Sequence, residues 1–440
     1  MPTPASPAAQ RNDGSFDDIW DEIVWRGLVH VSTDEAELKA LLAGGPITYY
    51  CGFDPTAPSL HLGNLVQLLL LRRLQLAGHR PLGLVGGSTG LIGDPRPTAE
   101  RTLNDKATVA EWVGYLEAQV RKFLAFDGEN AARIVNNLDW TAPLSAIDFL
   151  RDVGKHYRVG TMLKKDAVAA RLNSEAGISY TEFSYQILQG LDFLELYRHY
   201  GCILQTGGSD QWGNLTSGTD LIHRVEGVSA HAIGTPLITN SDGTKFGKSE
   251  SGTVWLDAHR TSPYILYQFF LRTEDAVVGA HLRQLTLLPH DDILALDAET
   301  AGHPERRAAQ RALARSVVGL VHGESEVAAA ERAAGALYSE DIAGLDEATL
   351  LAVCAEAPAS RWPRQDLDGG GLAVVDALVR AGLAASKGMA RSTITQGGAY
   401  VNNRRVPADV GATVGRGDLL HDRYLVLRKG KRDYHLVEFT

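Results

Sequence analysis

The chain has 440 residues, of which 44% are hydrophobic and 22% charged, a balance that excludes a disordered or fibrous polymer and predicts two or three globular domains. No run approaches ~20 uninterrupted apolar residues, because even Leu65–Leu76 is broken by Gln67, Arg72, Arg73 and Gln75, so no membrane span is predicted. The net charge of −10 excludes a uniformly basic surface, yet eleven basic residues face six acidic ones between Gly371 and Thr440. That local surplus marks a separate basic module.

In chain order, residues 1–16 read as a flexible N-terminal extension. They are Pro-, Ala- and Ser-rich and lack the apolar centre of a secretory signal, so the expected location is cytoplasmic. Cys51, Cys202 and Cys354 are odd in number and widely spaced, which predicts reduced thiols and no structural metal. Residues 17–245 alternate short β-branched runs (47–53, 81–87, 134–138 and 202–206) with helical segments. This is the pattern of an α/β domain built on a parallel sheet, whose ligand loops lie at the carboxyl ends of the strands.

Ala, Leu, Glu and Arg dominate from Thr261 to about Ala343, so 246–356 reads as an exposed loop followed by an all-helical domain. Two prolines and the triplet Gly369-Gly370-Gly371 make 357–371 read as a flexible linker. The remainder, 372–440, reads as a small α+β domain carrying the basic surplus.

Three stretches carry chemistry. The first, Tyr50-Cys51-Gly52-Phe53-Asp54-Pro55-Thr56-Ala57-Pro58-Ser59-Leu60-His61-Leu62-Gly63-Asn64, joins a predicted strand to a helix, a layout that aims N–H groups and the positive helix end at phosphate. His61 and Asn64 are donors there, and Gly63 leaves room for a base. Taken alone, a histidine before a helix is more often a cap or a satisfied surface residue than a catalyst. The second, Lys245-Phe246-Gly247-Lys248-Ser249, follows the turn Asn240-Ser241-Asp242-Gly243-Thr244 and brings two ammonium groups together. By itself it is a solvated charged turn. In the third, Thr181–Leu194, Tyr185, Gln189 and Asp192 recur at i, i+4 and i+7 on one helix face among apolar neighbours. Periodicity alone reads that stripe as the solvent side of the helix.

Together, in this order and spacing, the first two stretches resemble the His-Ile-Gly-His and Lys-Met-Ser-Lys-Ser motifs of class I aminoacyl-tRNA synthetases. Asn64 replaces the last His, and Phe246 and Gly247 replace Met and Ser. The helix 181–194 makes the closest resemblance that to bacterial tyrosyl-tRNA synthetases, over nearly the whole chain.

The resemblance implies a Rossmann-like catalytic domain with a dimer-forming insertion near 140–195, an anticodon-side helical domain, and a terminal module similar to that of a small-subunit ribosomal protein. It implies L-tyrosine, ATP and tRNA(Tyr) as substrates and partners, Mg2+ carried in by ATP, and a homodimer. His61, Asn64, Lys245, Lys248, Ser249 and Thr56 would act on the phosphates. Tyr50, Asp94, Tyr185, Gln189, Asp192 and Gln211 would hold tyrosine. Asp54, Gly63, Gly208, Asp210 and Lys248 would hold ATP, and Lys387, Arg391, Arg404 and Arg405 would meet RNA. After Asp94-Pro95 the family often places lysines, where this chain has Arg96 and Arg101. A tryptophanyl synthetase shares fold and phosphate loops; Tyr50 with Asp192 and the basic terminal module favour tyrosine.

Overall fold

The computed structural model describes residues 10–95, 102–174, 177–249, 252–336, 340–355, 357–430 and 433–440, apart from the side chains at 166–167, 248–249, 336 and 340–341. Arg96 and Arg101 lie outside the described residues. The chain divides into two compact units, 3–261 with 270–323 and 262–269 with 324–440.

The first unit is built on a six-stranded sheet of β1 (Val31–Ser32), β2 (Thr48–Phe53), β3 (Arg80–Val85), β4 (Arg133–Asn136), β5 (Cys202–Gly208) and β6 (His231–Thr235), in the order β1-β6-β5-β2-β3-β4. All neighbours run parallel except the edge strand β1, which is antiparallel to β6. The four predicted strands are present, and the order reverses beside the central strand β2, where open α/β sheets form a ligand crevice.

The helix Leu62–Leu76 leaves β2 and is buried nearly all round, Arg72, Arg73 and Gln75 included. A helix apolar on most faces belongs inside a domain, and each polar group it carries there must find a partner. Arg73 finds Glu22, at 2.6 Å, and the Thr286 carbonyl. Arg26 shares Glu22, at 2.7 Å, and donates to the Leu288 carbonyl at 2.9 Å. These buried arginines fasten the segment joining the helices Asp275–Leu285 and His290–Gly302 to the helix Leu62–Leu76 and to Glu22, and the two units divide residues 246–356 between them, so the predicted helical domain does not stand as one body.

The predicted N-terminal extension is corrected in the same place. Asn12 donates to the Arg73 carbonyl at 2.9 Å, Gln10 accepts from Arg72 at 2.7 Å, and Asp13 accepts from the His290 N–H. Residues 10–16 are therefore docked by polar contacts that composition does not reveal.

In the second unit, β9 (Ala359–Trp362), β10 (Leu372–Ala373), β11 (Ala399–Val401), β12 (Arg404–Arg405), β13 (Thr413–Val414), β14 (Tyr424–Lys429) and β15 (Asp433–Phe439) form the five-stranded sheet β12-β11-β14-β15-β9 and the pair β10-β13. Side chains alternate across a strand. Leu425, Leu427, Val437 and Phe439 face one core with the helices Val374–Arg380 and Lys387–Thr395, while Tyr424, Val426 and Leu436 face another with Ile342, Leu350 and Cys354. The expected flexible linker 357–371 is overturned for its first half. β9 pairs in parallel with β15, and Trp362 is buried edge-on against Phe439. Burial of one large aromatic ring outweighs the flexibility that the prolines and glycines suggest.

Candidate active site

A cleft of about 850 Å³ opens at the carboxyl ends of β2, β3, β5 and β6. Tyr50, Asp54, Thr56, His61, Gly63, Asn64, Asp94, Tyr185, Gln189, Asp192, Gly208, Asp210, Gln211 and Lys245 all line it. Residues spread over nearly 200 positions thus converge on one cavity, because each follows a strand end or faces in from the helix Tyr180–Tyr200.

That helix is fixed at both ends. The Ser179 hydroxyl accepts from the Glu182 N–H at its start, and Gly201 closes it in the left-handed conformation. Its polar stripe faces the cleft and not solvent. Asp192 is buried, with Oδ2 accepting from Asn137 at 3.0 Å and Oδ1 from the Trp140 ring N–H at 2.9 Å. Burial pushes its carboxyl up to about 8, against the pull of those two donors. Beside it Tyr50 is buried, its ring 5.2 Å from Phe193, and its hydroxyl has no hydrogen-bond partner among the described residues. The Gln205 amide oxygen, also lining the cleft, is likewise unpartnered among them. An orphaned buried hydroxyl costs about 1–3 kcal/mol, which a ligand with a matching polar group would recover.

Around this end, Tyr185 donates to Asp54 Oδ2 at 2.7 Å, and Thr89 donates to Asp54 Oδ1 at 2.6 Å. Asp94 accepts from Gln211 at 3.0 Å and from Asn214 at 2.9 Å. Sequence reasoning missed Asn137, Trp140, Thr89, Gln205 and Lys165, which lie alone in otherwise ordinary segments.

The opposite end is exposed and holds the phosphate-type groups. Asn64 Oδ1 accepts from the His61 N–H at 3.0 Å, capping the helix Leu62–Leu76. The capping reading and the donor reading are therefore compatible, since with its oxygen committed Asn64 offers the cleft only N–H. Lys245 stands 3.8 Å from Asp210. β7 (Lys248–Ser249) and β8 (Gly252–Thr253) form a hairpin over the helix start, where the Leu62 N–H donates to Val254 and the Leu256 N–H to Leu60. The side chains of Lys248 and Ser249 lie outside the described residues. Gly247 has φ +91°, and a Cβ there would stand 3.1 Å from Leu62. A side chain at this departure from the family motif would be strained by the backbone and crowd Leu62.

At the terminal module Arg391 and Arg404 are exposed. Lys387 pairs with Asp376 at 2.7 Å, and Arg405 is committed to the Gly397 carbonyl at 2.8 Å. Arg428, counted with the basic surplus, is buried with its guanidinium 3.7 Å from the Tyr400 ring centre. Cys51, Cys202 and Cys354 are buried free thiols. Among the described residues no helix is long and apolar enough to cross a membrane, and no group of three or more His, Cys, Asp or Glu could hold a metal ion.

The model of tRNA synthetases class I (W and Y) matches residues 42–339, and the chain belongs to that family. The Tyrosine--tRNA ligase SYY-like C-terminal domain matches 355–437, a span that takes in β9. The chain is 64% identical to the tyrosine--tRNA ligase of Leifsonia xyli subsp. xyli over 96% of its length and 95% of the relative's. It is 59% identical to that of Streptomyces avermitilis, over 96% and 99%. A C-terminally truncated mitochondrial tyrosyl-tRNA synthetase of Coccidioides posadasii superposes with TM-score 0.64 at 32% identity, covering 72% of this chain and 92% of that one.

Proposed function

We propose that this chain carries out both half-reactions of a tyrosine--tRNA ligase in the 850 Å³ cleft: L-tyrosine and ATP give tyrosyl-adenylate and pyrophosphate, and tyrosine then passes to the 3′-terminal adenosine of tRNA(Tyr). The observation that carries the assignment of roles is the buried pair of Tyr50, with its orphaned hydroxyl, and Asp192, at one end of a cleft whose other end holds His61 and Lys245. A phenol donates to Asp192 and accepts from Tyr50; phenylalanine leaves the buried Tyr50 hydroxyl unpaired and brings Asp192 no donor beyond Asn137 and Trp140. Discrimination of ~10⁵ against phenylalanine without editing is a known property of tyrosyl-tRNA synthetases as a class, and the orphaned Tyr50 hydroxyl beside Asp192 gives it a physical basis here. Asp94, Tyr185, Gln189 and Gln211 surround the tyrosine ammonium group, with Asp54 positioning Tyr185.

Attack of the carboxylate on the α-phosphorus builds charge on the phosphate oxygens and on departing pyrophosphate, so placement and electrostatic stabilisation supply the rate. His61 and Asn64 donate to the phosphates beside Thr56. Lys245, Lys248 and Ser249, on the hairpin, neutralise pyrophosphate, while Asp54, Gly63, Gly208 and Asp210 bound the nucleoside. Magnesium enters with ATP and assists phosphate charge neutralisation. Lys387, Arg391, Arg404 and Arg405, all exposed, form the RNA-facing set, of which Arg391 and Arg404 are the strongest candidates because Lys387 is paired with Asp376 and Arg405 with the Gly397 carbonyl. The exposed apolar residues Ile147, Leu150, Val159, Leu163 and Leu172 support a homodimer through the 140–195 insertion, and likeness to bacterial translation enzymes supports a cytoplasmic location.

The test is pyrophosphate exchange with each standard amino acid, paired with truncation after Cys354. Exchange is expected with tyrosine alone and is expected to survive truncation, while charging is lost. Exchange with another amino acid, or equal loss of both activities on truncation, would contradict the reading.

A further inference from the structure

Behind the amino-acid end of the cleft lies a chain of four polar side chains. Lys165 Nζ donates to Asn214 Oδ1 at 2.8 Å. Asn214 Nδ2 donates to Asp94 Oδ1 at 2.9 Å and to Gln211 Oε1 at 2.7 Å, and Gln211 Nε2 donates to Asp94 Oδ2 at 3.0 Å. Both oxygens of Asp94 are thus held by carboxamides, and each carboxamide has the same shape after a 180° flip. Only their neighbours decide which way they point. An ammonium group has donors and no acceptor, so it obliges Asn214 to turn its oxygen towards Lys165 and its N–H groups towards Asp94 and Gln211. Gln211 must then accept from Asn214 and donate to Asp94. One cation sets the direction of the whole ring.

We propose that Lys165 is a positioning residue for amino-acid binding, acting through Asn214 and Gln211 to present the Asp94 carboxylate to the substrate ammonium group. Without it, Asn214 is free to turn its oxygen on Asp94, two acceptors face each other, and the carboxylate rotates out of register. The lysine is built into its place. A Cβ at Gly213 would stand 2.9 Å from Lys165 Cε, so the stem lies directly across the start of the helix Trp212–Glu226. Burial pushes its amine down to about 7, with Asp94 pulling the other way, which means the donor works largely out of water, where a hydrogen bond is strong. It lines a neighbouring cavity of about 430 Å³, on the far side of Asp94, and does not itself line the substrate cleft.

The inference rests on Asp94 gripping the ammonium group, and the experiment separates the two. Equilibrium binding of L-tyrosine and of 3-(4-hydroxyphenyl)propanoate, which lacks the amine, is measured below pH 7 for wild type, Asp94→Asn, Lys165→Met and Asn214→Asp. Lys165→Met is expected to weaken tyrosine about tenfold while leaving the desamino acid within about twofold. Asn214→Asp retains the volume and the lysine's partner but faces Asp94 with an acceptor, and is expected to give the same selective loss. If Asp94→Asn shows no selectivity between the two ligands, the reading of Asp94 fails. If Asp94→Asn is selective while Lys165→Met and Asn214→Asp keep wild-type tyrosine affinity or lose both ligands equally, the role of Lys165 is overturned.

Discussion

Phe246 rests its ring on the imidazole of His281, with centroids 4.2 Å apart. The Phe246 ring is also 5.9 Å from Phe270, and its N–H donates to the Ile238 carbonyl at 2.9 Å. The residue between the two lysines of the hairpin is thus anchored in the protein body, while Gly247 beside it lies flat against Leu62. An anchored centre lets a loop move as a unit about defined points and return its charges to the same place.

Phe246→Ala and Gly247→Ala are therefore both expected to slow adenylate formation by about ten- to a hundredfold, the first by loosening the loop and the second by forcing a side chain into a left-handed conformation against Leu62. Tyrosine affinity should be unchanged. Single-turnover adenylate formation and equilibrium tyrosine binding read the two quantities separately, and a fall in tyrosine affinity equal to the fall in rate would refute the gating role.

Asp192 and Tyr50 bear on specificity in different ways. Tyr50→Phe removes the orphaned hydroxyl and is expected to lower the preference for tyrosine over phenylalanine by about tenfold. Asn137→Ala, which strips one of the two donors steadying Asp192, should lower it by a similar factor without touching the ligand. The ratio of kcat/KM for the two amino acids in pyrophosphate exchange is the measurement, and an unchanged ratio in Tyr50→Phe would remove that residue from the phenol pocket.

Acid sensitivity follows from two histidines. His281 shares a hydrogen bond with the Thr239 carbonyl through Nε2, and its Nδ1 is buried without a partner among the described residues, as is Nε2 of His322. A second ring proton on His281 would find no acceptor there, and burial pushes both histidines down to about 4 from an ordinary 6.5. Between those values the unfolded chain takes up protons that the native state refuses. Their contribution to stability is in force above pH 6.5 and is lost as pH falls towards 4, at most on the order of 3 kcal/mol per histidine. Urea unfolding of wild type and of His281→Gln across this window checks the sign. The variant is expected to be less stable at neutral pH and to lose less on acidification; parallel curves would contradict it.

The sequence by itself determined four of the six sheet strands, the two phosphate-side stretches and the polar stripe of the helix Tyr180–Tyr200, because these are written in local spacing: β-branched runs, a strand-loop-helix junction, and polar residues at i, i+4 and i+7. It also carried enough likeness to place the chain in its family. Tertiary structure alone decided what the polar residues face. Asn137 and Trp140 reach Asp192 across more than 50 positions, Tyr185 meets Asp54 from another element, and Lys165 governs Asp94 through an amide 49 residues further on. The same holds for what sequence misread. Residues 10–16 and β9 look flexible by composition, yet Asn12, Asp13 and Trp362 find partners far along the chain or on the far edge of a sheet. Spacing encodes which side of an element is polar, but a hydrogen bond needs a second atom within about 3 Å, and only the folded chain supplies it.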